Sequence, residues 1–101
     1  AECQAATVRE AAGRFDAALR GFQGPVLQAM LPPEVENLHR VVHTLEVRRN
    51  WLLGQVEAAA PPGAAAAAAA DLDAECARYL SGVAQLEADL GQYREMADEA
   101  S

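Results

Sequence analysis

Lysine and isoleucine are absent from all 101 residues, and aromatic residues make up only 5%. Codons for lysine and isoleucine are AT-rich. Their absence, with the alanine run at 64–70, indicates a GC-rich coding sequence and says nothing about function. The chain begins at Ala1 rather than Met, so it is expected to be a processed product or a segment of a longer protein.

Two cysteines, Cys3 and Cys76, are too few and too far apart for a disulfide framework or a zinc site. They indicate a reducing compartment, and the expected location is intracellular and cytoplasmic. Cys76 reads as a small buried apolar residue. No apolar run approaches the roughly 20 residues a membrane span needs, and no signal peptide is visible. Basic stripes are also missing. The net charge is −7, with the acids concentrated after residue 64, where only Arg78 and Arg94 oppose eight carboxylates. Nucleic acid and anionic membrane surfaces are therefore excluded as partners.

Catalytic patterns are missing too. Hydroxyl side chains are limited to Thr7, Thr44, Ser81, Ser101, Tyr79 and Tyr93, none in a nucleophile-elbow context. Glycines stand singly, so no phosphate loop forms; those inside helices are expected to mark close helix approach. The chain is not expected to be an enzyme or to need a cofactor.

What remains is helical. The large apolar residues are mainly eleven Leu and eight Val, joined by twenty-four Ala that bury little area each. Such a core is thin, and burial against another chain is the ordinary remedy. Turn signals at Gly24-Pro25, Pro32-Pro33 and Pro61-Pro62-Gly63 divide the chain. They predict a first helix over about 2–23, a broken segment over 24–32, a second helix over about 33–60 and a third over about 64–100, together one module spanning 1–101.

Apolar spacing alternates between four and three residues. The first helix reads Val8, Ala12, Phe15, Leu19, Phe22 and Val26. The second reads Val35, Leu38, Val42, Leu45, Arg49, Leu52 and Val56, and the third Leu72, Cys76, Tyr79, Val83, Leu86, Leu90, Tyr93 and Ala97. A mean step of 3.5 keeps one seam facing a neighbour. The expected fold is all-α, a three-helix bundle running up-down-up or an antiparallel helical hairpin, with heptad coiled-coil packing. The third helix should be the longest.

Three features of the second helix stand out. Glu36, His39, His43 and Glu46 form a stripe with metal-ligand spacing, but it lies beside the seam, where charged flanks normally sit. Arg49 occupies a seam position, which selects register or partner at some cost; its expected counterion is Glu75 or Asp89. Trp51 points away from the seam, with Val47 one turn earlier, Ala58 two turns later, and Arg40 and Arg48 nearby. Aromatic residues and arginine together make interface hot spots. Trp51, Val47, Arg48, Arg40 and Arg49 are therefore the candidate partner-binding residues. The function expected is a structural or adaptor module assembling with itself or other chains in a larger complex. The competing expectation is a helical bundle binding metal at His39/His43 or a small apolar molecule between Ala-rich helices.

Overall fold

A computed structural model describes residues 5–57 and 65–99. Four helices follow in order: α1 Ala5–Gly21, α2 Pro25–Gln28, α3 Pro32–Glu57 and α4 Ala65–Glu99. No strand occurs among the described residues. Cys3, Ala58 and the side chain of Val56 lie outside the described residues, as do the outermost parts of the expected helices.

Each boundary has a local cause. α1 is rich in alanine, the strongest helix former, and Arg20 in its last turn complements the negative end of the helix dipole. The chain leaves α1 at Gly24, whose φ of 60° suits glycine. Pro25 then supplies the preset φ for a new first turn. The expected broken segment therefore contains a helix, α2, one turn long.

α3 opens on two prolines, both in the first turn, where missing N–H groups cost nothing. Leu31 caps it with backbone alone: its N–H donates to Glu34 Oε1 at 2.7 Å, the carboxylate half of a capping box.

The same carboxylate reaches a second helix. Tyr93 of α4 donates its hydroxyl proton to Glu34 Oε2 at 2.6 Å, and its ring meets Phe22 edge-on at 6.2 Å. This contact fixes direction: residue 34 beside residue 93, and Leu45 against Gly82, make α3 antiparallel to α4. Gly21 against Leu90 and Phe22 against Tyr93, with Arg14 paired to Glu87, make α1 parallel to α4. The order is up-down-up. α1 packs on α3 and α4, α2 on α4, and α3 on α4. The result is an elongated all-α bundle of 57 × 22 × 15 Å, with a radius of gyration of 16.1 Å. A compact chain of this length would be about 13 Å. At 35 residues α4 is the longest helix and sets the long dimension.

The core is drawn from all four helices. α4 contributes Cys76, Tyr79, Val83, Leu86, Leu90 and Ala97, with Leu72 and Tyr93 packed at its margin. α3 contributes Leu38, Leu45 and Leu52, one per seven residues, flanked by Val35 and Val42. In α1 the buried set is Val8, Ala11, Phe15, Ala18 and, just past its end, Phe22. The expected Ala12 and Leu19 are only partly buried. Both alternations share positions 8, 15 and 22, and α1 turns its small-residue side inward because it lies against two helices at once.

Two of the helix glycines meet a neighbour. A Cβ at Gly82 would lie 2.6 Å from Leu45 Cδ2, and one at Gly21 would lie 2.6 Å from Leu90 Cδ2 and 2.7 Å from Arg94 Nη2. Gly13, Gly54 and Gly91 have nothing within 4 Å and mark no close approach.

The Glu34–Tyr93 bond makes stability pH-dependent at both extremes. The hydrogen bond from Tyr93, then that from the Leu31 N–H, holds the Glu34 carboxyl below its usual range. The hydrogen bond to Glu34, then burial, pushes Tyr93 up to about 12. A carboxyl lowered by folding stabilises above its ordinary value of 4.5 and loses that contribution as pH falls. A phenol raised by folding stabilises below 10 and loses it between 10 and about 12. The urea midpoint of wild type should exceed that of Tyr93→Phe by a margin steady from about pH 6 to 9 that narrows at both ends. A margin constant from about pH 3 to 11 would contradict the bond.

Candidate functional site

Arg49 turns inward. Its side chain is 23% exposed and lies 3.6 Å from Asp16 of α1, with the guanidinium 5.8 Å from the centroid of Phe15. Its Nε donates to Asn50 Oδ1 at 3.2 Å. The expected counterion on α4 is therefore replaced by one on α1. The acids anticipated are engaged elsewhere: Glu75 with Arg48 and Arg78, and Asp89 with Gln85. The seam of α3 faces the line where α1 and α4 meet, so a long side chain there reaches α1. Tyr79 completes this layer; its hydroxyl is fully buried with no hydrogen-bond partner among the described residues. Burial raises its pKa, and the nearby Arg49 opposes the rise.

The outer face of α3 differs. Trp51 is 44% exposed and Val47 54% exposed, as their angle from the seam requires. Trp51 stands as a ridge between two depressions. The first, about 400 Å³, is lined by His43, Thr44, Val47, Arg48, Trp51 and Glu75. The second, about 370 Å³, is lined by Trp51, Ala74, Glu75 and Arg78. Helix periodicity gives the α3 half of this lining. The α4 half depends on which turn of α4 lies opposite Trp51, and so was not readable from spacing.

The electrostatics of the face are local and positive. Arg48 Nε lies 3.3 Å from Glu75 Oε2, and Arg78 bonds the same carboxylate. Two guanidiniums on one carboxylate leave net positive charge beside the indole, on a chain whose net charge is −7. Exposed pairs of this kind contribute about 0–1 kcal/mol each to folding, so their weight lies in what they present. Arg40 is exposed about two turns before Arg48, its carbonyl accepting from the Thr44 hydroxyl at 3.0 Å.

Of Glu36, His39, His43 and Glu46, the first three are exposed and Glu46 is partly buried, and only His43 enters the groove. Among the described residues no three His, Cys, Asp or Glu side chains gather closely enough to hold a metal ion. Cys76 is buried and unpaired. No described helix is long and apolar enough to cross a membrane.

Fold and face together define an all-α helical bundle with an exposed aromatic ridge between two of its helices. No protein-family model, curated protein or solved structure matches this chain.

Proposed function

We propose that this chain is a non-enzymatic assembly module that docks a protein on the α3–α4 face around Trp51. The reading includes left-handed supercoiling of the three long helices, supported by buried residues recurring seven apart at Leu38, Leu45 and Leu52.

One observation carries it: the only tryptophan lies on the surface, beside an exposed valine and between two arginines. Leaving an indole in water forgoes a large apolar contribution, and tryptophan with arginine is the commonest composition of interface hot spots. The grooves on either side of the ring offer places for side chains of a docked helix.

The test is solution mass by light scattering across a concentration series, for wild type and Trp51→Ala. A species above the 10.7 kDa chain mass that weakens in the variant is the expected result. A monomer at every concentration, indifferent to the substitution, overturns self-assembly through this face.

A further inference from the structure

We propose that His39 and His43 form a two-imidazole chelate for one late first-row divalent ion, of the Ni²⁺, Cu²⁺ and Zn²⁺ class, on the solvent side of α3. The proposal is independent of whether a protein docks at Trp51.

Helix geometry brings the two rings together. α3 is unbroken from Pro32 to Glu57, and His39 and His43 stand four residues apart within it, both exposed. Residues at this spacing share one face of a helix, with Cβ atoms about 5–6 Å apart. An imidazole nitrogen binds such an ion at about 2.0–2.1 Å, so two rings leaning toward each other from that separation can meet at a single ion. Among the described residues neither ring takes part in a hydrogen bond or ion pair. No existing contact has to break when the metal arrives.

The surroundings set the kind of site. Glu36 stands one turn before His39 and Glu46 one turn after His43, and no third ligand gathers with the pair among the described residues. The ion therefore keeps water in its remaining positions. Between the two glutamates the chain carries no other charge than Arg40, so carboxylates bracket the pair at both ends and one guanidinium opposes them.

Donor type selects the metal. Imidazole suits copper, nickel and zinc, whereas Mg²⁺ and Ca²⁺ take oxygen ligands. With two donors and no enforced geometry, Cu²⁺ should bind more tightly than Ni²⁺ or Zn²⁺.

The test is titration calorimetry of the untagged full chain with Ni²⁺. It includes His39→Ala, His43→Ala and the double variant His39→Ala/Val47→His, with helicity checked by circular dichroism. Wild type should bind one ion per chain. Each single variant should bind at least about tenfold more weakly, since loss of even an outer partner costs a metal site that much. The double variant moves the pair one turn along, to positions 43 and 47, both exposed, and should recover binding. Mg²⁺ should not bind at the same concentrations. No binding of Ni²⁺ to wild type up to about 1 mM overturns the site, as does an affinity indifferent to both single substitutions. A double variant that stays helical and does not recover binding shows that the four-residue spacing does not hold the ion, and overturns the chelate.

Discussion

Phe15→Ala should lower the stability of this bundle by about 3–5 kcal/mol, the range for removing a buried phenylalanine ring. Phe15 is fully buried at the level where α1 meets both other long helices. Its loss does two things at once. It opens a void in a core otherwise supplied largely by leucine, valine and alanine, which has few large side chains to collapse inward. It also removes the ring over which the Arg49 guanidinium lies, leaving that partly buried charge with Asp16 and Asn50. Domains of this size are stable by about 5–15 kcal/mol in total, so the substitution consumes much of the margin. Thermal unfolding followed by circular dichroism should show the midpoint falling by at least about 12 °C. Phe15→Leu should fall far less. A shift of under about 3 °C for Phe15→Ala would mean that α1 does not dock on α3 and α4 as described.

The opposite result is expected from replacing Gly13, Gly54 and Gly91 together by alanine. Each lies inside a helix at negative φ, and an added Cβ meets no atom within 4 Å. Alanine there restricts the unfolded chain without straining the folded one, for a gain of about 0.5–1 kcal/mol each. The three sites are on different helices and share no neighbours, so the gains should add to about 2 kcal/mol. Gly82→Ala is the internal control. Its new Cβ would lie 2.6 Å from Leu45 Cδ2, and Leu45 is itself buried, so its side chain must shift within packed surroundings. The helix-propensity gain is then offset, and no net stabilisation is expected. Urea midpoints decide it: the triple variant should rise and Gly82→Ala should not. Stabilisation by Gly82→Ala equal to that of Gly91→Ala would mean that α3 and α4 are not in contact at Leu45.

How legible this fold was in the sequence varied from helix to helix. The inward side of α4 could be read because large apolar residues recur there with polar ones between, and nothing competes for the inward direction. α1 offered less contrast. Alanines at 11, 12, 17 and 18 differ little in apolar area, so spacing alone could not tell whether Ala11 and Ala18 or Ala12 and Leu19 turn inward. α2 is a single turn, too short to show a period, and only Gly24-Pro25 signals it. Trp51 was legible as outward-facing from its angle to the seam. The partner of Arg49 was not, because choosing Asp16 over Glu75 requires knowing how α1 lies against α3. The Tyr93–Glu34 bond joins residues 59 apart and is equally invisible to local reasoning.

The proportions of the molecule carry a last consequence. At 57 Å long and 15 Å thick, the bundle has no deep interior; its core is a file of layers, each one side chain from solvent. Damage or opening at one layer is felt mainly by its neighbours, as in a stack rather than a sphere. Amide protons should therefore exchange slowest midway along the rod, near Leu45 and Gly82, and progressively faster toward both tips. Such a body can fray at its extremities while its middle stays closed, and it answers stress by length rather than all at once.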